Sequence, residues 1–298
     1  MASRVLRAPE LRAALARAAA FTAAPLRLVD MGSPDAFARA CLPGARRSPY
    51  RGDLKGPTGL EPLAPADARS LFSALDLRVG QSVVVYDSGE ALPAARLAWV
   101  LRYYGAPHVA VLDGGFGAYL EEAGGEFATS GGRAAAAAGA PEAADPLLPR
   151  ERSELLASTQ DVLELVGGGR SGGGGGGGGG PQLLDARSPA EFSGEAVHGE
   201  GMRPGHIPGA LNVPFAECLS ADGTRRYLPP EQLRAVLRAR GVDLARPAIL
   251  MCLAGVRASV LHNALLAAGA PLAGLRLYDG SMAAWQQERS LPLELGPK

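Results

Sequence analysis

Of the three cysteines in this 298-residue chain, Cys252 sits where the surrounding sequence could activate a thiol. It follows the apolar run AILM at 248–251 and precedes a helix-like stretch from Ala258 to Leu266, so CLAGVR at 252–257 reads as a tight strand-to-helix turn. Such a turn aims successive backbone N–H groups at one point, and the unpaired donors and positive end of the following helix add to the field. An anion is favoured there, so the thiolate form of Cys252 is expected to be stabilised and to act as a nucleophile. Leu253, Ala254, Gly255, Val256 and Arg257 then form the expected substrate-binding loop. Gly255 lets the backbone curl without a Cβ, and Arg257 offers a five-donor fork that faces an anionic substrate or braces the loop. A cysteine after an apolar strand is, taken alone, more often a small buried hydrophobe. The glycine, the arginine and the strand-to-helix setting favour a functional site. Cys41, before a turn, and Cys218, in a loop after VPF, lack that setting. Three scattered cysteines fit neither a disulfide framework nor a CxxC metal site.

The elements that must position this loop emerge when the two halves of the chain are overlaid. LRLVD ending at Asp30 and QLLD ending at Asp185 lead into SPDAF and RSPAEF, and LPGA at 42–45 matches IPGA at 207–210. Between its Phe and its PGA turn the second copy carries a longer excursion with His198 and Arg203. SVVVYD at 82–87 corresponds to AILMC at 248–252, with helix-like runs after both, then VAVLDGGFGAYL and LRLYDGSMAAWQ. Apolar strands alternating with helices at this spacing predict an α/β chain, each copy a mostly parallel sheet flanked by helices. Asp87 stands where the second copy has Cys252. A carboxylate in an anion cradle repels an anionic ligand and supplies no thiol nucleophile, so the first copy reads as noncatalytic.

The expected organisation is a first domain over 1–128, a flexible Gly, Ala and Pro-rich linker over 129–150, and a second domain over 151–298. ERSELLASTQDVLELV at 151–166 reads as a helix, and glycines 172–180 as a floppy insertion with no side chains to bury. The run lacks the GK[ST] ending of a phosphate loop. Arg4, Arg7, Arg12 and Arg17 fit an organelle-targeting helix, or a first domain helix ended at Pro25; the second reading leaves less sequence unexplained. Thirty basic residues balance 30 acidic ones, so no global field draws the chain to nucleic acid or an anionic membrane, and neither is expected as a partner. No apolar run approaches a membrane span. A cytoplasmic, mitochondrial or plastid location is expected, rather than a secreted or membrane-spanning one.

At these residues the chain resembles the two-domain rhodanese family of thiosulfate and 3-mercaptopyruvate sulfurtransferases. The likeness is carried by SPY at 48–50, VVVYD ending at Asp87, and VLDGGF at 111–116, and more closely by LLDAR at 183–187, GHIPGALNVPF at 205–215, CLAGVRAS at 252–259 and YDGS at 278–281. The resemblance implies two tandem rhodanese-like domains and ping-pong chemistry. Cys252 takes the outer sulfur of a small anionic donor as a persulfide and passes it to cyanide or a thiol, including a thioredoxin-like acceptor. No cofactor or metal is implied.

Departures from the family pattern bear on the donor. Leu253, Ala254 and Arg257 stand where mercaptopyruvate enzymes have Gly, Ser and Thr, and Glu191 falls where a carboxylate-gripping arginine belongs. A loop ending in Arg favours a dianion, so thiosulfate is the expected donor and 3-mercaptopyruvate the alternative; Arg203 is a candidate for additional positive charge at the substrate. A noncatalytic persulfide carrier or regulatory module is the other alternative. A phosphatase is disfavoured because four residues, not five, separate Cys252 from Arg257. His206, Asp185, Arg187, Asp279 and Trp285 read as architecture.

Overall fold

The computed structural model describes residues 5–19, 25–49, 54–123, 128–129, 144–168, 180–199 and 201–296. By compactness the chain divides into two units. The first comprises Met1–Leu54, Leu63–Arg152 and Ser220–Tyr227; the second comprises Lys55–Pro62, Ser153–Leu219 and Leu228–Lys298. Residues 55–62 and 220–227 thus each belong with the unit built mainly from the other half of the chain, which boundaries drawn along the sequence do not express.

In the first unit the chain runs β1 (Val5–Leu6), α1 (Ala8–Ala19), β2 (Leu26–Asp30), α2 (Pro34–Arg39), β3 (Ala40–Cys41), β4 (Arg46–Arg47), α3 (Pro65–Ala74), β5 (Ser82–Tyr86), α4 (Leu92–Tyr103), β6 (His108–Leu112), α5 (Gly115–Ala123) and β7 (Ala128–Thr129). The sheet order is β1-β6-β5-β2-β4, every pairing parallel, with β3 and β7 forming a separate antiparallel pair. Every residue of β2 and β5 is buried, as expected for strands covered on both faces. α1 is a domain helix: Leu11 is fully buried, and it packs with Ala8, Ala14 and Ala18 against the core formed by β2, β5 and β6.

The second unit runs β8 (Leu156–Ala157), α6 (Thr159–Gly168), β9 (Gln182–Asp185), α7 (Pro189–Ser193), β10 (Leu211–Asn212), α8 (Pro230–Ala239), β11 (Ala248–Met251), α9 (Val256–Ala268), β12 (Leu275–Tyr278) and α10 (Ser281–Trp285). Its parallel sheet has the order β10-β9-β11-β12-β8. Set against β4-β2-β5-β6-β1, the order is the same, and β10, β9, β11 and β12 fall on their counterparts in the sequence repeat. The two units are thus tandem α/β domains of one topology, and in each the loops after the central strands gather at the carboxyl edge of a parallel sheet, where ligands bind in open α/β sheets.

One element differs from its sequence reading. Residues 151–166 are not one helix: a 3-10 turn at Ser153–Leu155 leads into β8, which pairs with β12, and only then does α6 begin. The break is local chemistry. The Ser158 N–H and hydroxyl both reach Asp161 Oδ2, and Asp161 N–H returns to Ser158 Oγ, a capping arrangement that starts the helix at Thr159. The polyglycine run, Gly180 excepted, and residues 130–143 of the linker lie outside the described residues. Among the described residues, no helix is long and apolar enough to cross a membrane.

Candidate active site

Cys252 directly follows β11, and the chain turns through Gly255, at φ +79°, into α9. The turn is stapled from one side by the start of α10. Cys252 N–H donates to Ser281 Oγ at 3.1 Å, and Ser281 Oγ donates to the Tyr278 carbonyl at 2.7 Å. The N–H groups of Met282 and Ala283 donate to the carbonyls of Cys252 and Leu253 at 3.2 and 3.0 Å. Within α9 the Ser259 hydroxyl closes on the Gly255 carbonyl at 3.0 Å. Leu253 packs on the core of the unit, and Cys252 is 1% exposed. The Cys252 side chain therefore lies under its loop, at the positive end of a helix from Val256 to Ala268.

The first unit supplies an internal measure of what this turn binds. Asp87 occupies the cysteine position, and its carboxylate is gripped by its own loop: Oδ1 accepts from the N–H groups of Gly89 and Glu90 at 2.8 and 3.0 Å, and Oδ2 from Ala94 N–H at 3.1 Å. Three backbone donors converge on a negative charge carried by the side chain at this position. In that copy the ligand is built in.

Three ion pairs ring the cysteine turn. Arg257 meets Glu191 through both terminal nitrogens, at 2.6 and 2.8 Å. Asp185, at the end of β9, holds Arg187 by Nε and Nη2 at 2.9 and 2.7 Å. Asp279, just past β12, pairs with Lys55 at 2.8 Å. Glu191 has two masters, since Ser188 N–H and hydroxyl also donate to its Oε2 and make it the third residue of the α7 capping box. Burial opposes the charge on Glu191, but hydrogen bonds from Arg257 and Ser188, and then the Arg257 charge, hold its carboxyl down at about 2. Burial likewise works against Arg257, and its hydrogen bonds to Glu191 with the negative charges of Cys252 and Glu191 more than offset it and raise the guanidinium above its ordinary value. Arg257 does not present an open fork: Glu191 occupies it.

A pH dependence follows from this pair. The folded Glu191 carboxyl titrates near 2 against an ordinary 4.5, so the folded state binds fewer protons in that interval and loses stability as pH falls. The contribution is complete above the ordinary value, amounts to about 3 kcal/mol, and is lost progressively on acidification. Glu191→Gln is expected to lower stability at neutral pH and to flatten the acid limb, as checked by urea melts of both proteins across that range.

The remaining residues fall into place around this ring. His206 is fully buried, its Nδ1 lies 2.9 Å from the Phe192 carbonyl, and its ring stacks on Phe192 at 3.6 Å. Trp285 is buried and donates to the Pro292 carbonyl at 3.1 Å. Arg203 is held by its backbone, with Gln286 accepting from its N–H at 2.5 Å and donating to its carbonyl at 2.8 Å. Its Nη1 donates to the Leu291 carbonyl at 2.9 Å, but its buried Nε and Nη2 have no hydrogen-bond partner among the described residues. Arg203 lines a narrow cleft together with Arg187, Glu191, His198, Met202 and Leu253. Cys41 and Cys218 are fully buried elsewhere; burial, and then Glu217, pushes the Cys218 thiol up to about 12. Reading the sequence missed Lys55 and Ser281, and it missed that Glu191 partners Arg257. For Lys55 a signal existed: the chain has 28 arginines and two lysines, Lys55 and Lys298.

Residues 9–122 and 176–288 each match the rhodanese-like domain family. The chain belongs to the rhodanese family. This rhodanese is 36% identical over 273 residues to a probable 3-mercaptopyruvate sulfurtransferase of Pseudomonas aeruginosa, covering 86% of this chain and 84% of that one. It is 32% identical over 227 residues to the 3-mercaptopyruvate sulfurtransferase of Escherichia coli K12, covering 74% and 70%. Its fold matches that of the Tum1 protein of Saccharomyces cerevisiae with a TM-score of 0.77 at 21% identity over the whole of both chains, a likeness of fold alone. The rhodanese is thus a two-domain homologue of thiosulfate and 3-mercaptopyruvate sulfurtransferases, and that homology supports sulfur-transfer catalysis as its class of function.

Proposed function

We propose that this rhodanese transfers a sulfane sulfur through a Cys252 persulfide, with 3-mercaptopyruvate preferred to thiosulfate as donor. The observation that carries the reading is Asp87: the turn that repeats around Cys252 holds a negative side chain with three backbone N–H groups in the first unit. With cysteine in that place the same donors would serve a thiolate and then the terminal sulfur of a persulfide, as an oxyanion hole serves an oxyanion. The thiolate forms an S–S bond to the donor's outer sulfur while the C–S bond breaks, and the departing carbanion, delocalised as the enolate of pyruvate, takes a proton. An acceptor thiolate, or cyanide, then attacks the terminal sulfur and regenerates the Cys252 thiolate.

The donor preference rests on charge. The case for thiosulfate required an unpaired Arg257, and Glu191 engages it at two points. A dianion entering the loop gains little from a neutralised pair. Arg203 instead lines the adjoining cleft and has two buried guanidinium nitrogens without a partner among the described residues, the number a single carboxylate such as that of mercaptopyruvate engages. The names of the Pseudomonas aeruginosa and Escherichia coli relatives point the same way.

Steady-state assays with each donor and one thiol acceptor test this. Wild-type kcat/KM is expected to be higher with 3-mercaptopyruvate. Arg203→Met, which removes a guanidinium that the fold leaves partly unsatisfied, is expected to raise the mercaptopyruvate KM roughly ten- to hundred-fold, the value of a charged hydrogen-bonded contact, with kcat within a few fold. A higher wild-type kcat/KM with thiosulfate, or an unmoved KM in the variant, overturns the donor assignment; no turnover with either donor favours the carrier role instead.

A further inference from the structure

Lys55 is set apart by its chemistry and its surroundings. In a chain that uses arginine 28 times, it is the one lysine before the C-terminal residue. Its side chain is 7% exposed, and its ammonium both pairs with Asp279 Oδ2 and donates to the Asp279 carbonyl, each at 2.8 Å. A compact ammonium with rotatable donors reaches the carboxylate and the carbonyl of one residue; the broad planar fork of arginine suits two parallel acceptors instead. Asp279 is 1% exposed and packs directly behind the cysteine turn: a Cβ placed on Gly255 would overlap its Oδ1 and come within 3.0 Å of its carbonyl oxygen. The corresponding residue of the first unit, Asp113, accepts the Tyr227 N–H at 2.7 Å, and the cations near it are Arg7 and Arg226. The lysine accompanies the copy with the cysteine.

Among the described residues, the charged groups facing the turn are Arg257 with Glu191 on α7, Asp185 with Arg187 at the end of β9, and Asp279 with Lys55; His198, 3.9 Å from Glu191, lies farther out and is 62% exposed. Each of the three pairs is neutral as a unit. Removal of Lys55 would take away the cation paired with the Asp279 carboxylate on the Gly255 side of a turn that must hold anionic sulfur, and like charges in a buried site interact strongly. We infer that Lys55 is a positioning residue for sulfur transfer, which cancels the Asp279 carboxylate behind Gly255 so that the cysteine turn can carry a negative sulfur. This rests on Cys252 being the sulfur carrier.

A charge cycle tests it. Single-turnover persulfide formation from 3-mercaptopyruvate is followed by intact mass against pH in wild type, Lys55→Met, Asp279→Asn and the double variant. Lys55→Met is expected to move the pH midpoint of persulfide formation up by about one unit and to slow the reaction about tenfold at neutral pH. Asp279→Asn, which keeps the lysine, moves the midpoint down and is informative even if Lys55→Met fails to fold. The double variant returns the midpoint close to wild type, which loss of a merely structural contact would not do. An unshifted midpoint in both single variants, or a double variant shifted as far as Lys55→Met, overturns the inference. Absence of a Cys252 persulfide in wild type would instead refute the underlying assignment of the carrier.

Discussion

Cys252→Ser is expected to abolish both the persulfide and the turnover, lowering kcat by roughly a thousandfold or more, the scale on which loss of a covalent nucleophile acts. Serine preserves the turn, because the contacts that staple it run through the Cys252 backbone N–H and carbonyl to Ser281 and Met282. The hydroxyl stays protonated at neutral pH and cannot become a persulfide. Intact mass after donor exposure should show one added sulfur in wild type and none in the variant. Cys41→Ser and Cys218→Ser should keep the adduct, since both thiols are fully buried and that of Cys218 is pushed up to about 12, chiefly by burial. An adduct that survives in Cys252→Ser removes the cysteine from the mechanism, and with it the persulfide chemistry proposed above.

Gly255→Ala carries the second large effect, on stability and activity together. Its φ of +79° lies in the left-handed region, and a Cβ there would overlap Asp279 Oδ1, a carboxylate that cannot step aside without leaving Lys55. Backbone strain alone costs about 1–2 kcal/mol. Overpacking against a buried ion pair adds about as much again or more, so a loss of about 3 kcal/mol or greater is expected. Gly209→Ala separates the two contributions. Gly209 has the same φ of +79°, but a Cβ there meets nothing within 4 Å, so only the strain should register. Urea denaturation should therefore rank wild type, Gly209→Ala and Gly255→Ala in falling stability. Persulfide formation should survive in the Gly209 variant and fall at least a hundredfold in the Gly255 variant. Equal losses in the two would show that contact between Gly255 and Asp279 does not matter.

Much of the fold was legible because the hydrophobic effect writes itself along the chain. LRLVD, SVVVY, QLLD and AILM are continuous apolar runs of strand length, and they became the strands of two sheets with one topology. The segment 151–166 was not legible in that way: β8 is only two residues long and exists through its pairing with β12, so its state depends on a partner more than a hundred residues away. The capping residues Ser158 and Asp161 marked the helix start locally, and they were the better guide.

The sequence by itself determined where Cys252 stands. The strand, the turn glycine and the helix around it are consecutive in the chain, and the Asp87 counterpart comes from aligning two stretches of the same sequence. Local order is enough for features whose physics is local. Only the tertiary structure decided the charge around the cysteine turn. Arg257 and Glu191 are 66 positions apart and Lys55 and Asp279 are 224 apart, and no pattern of composition or period joins such residues. A charge has its effect through distance in space, so an arginine that looks available in the sequence is already engaged, a glutamate that looks misplaced is its partner, and an unremarked lysine balances the carboxylate behind the turn.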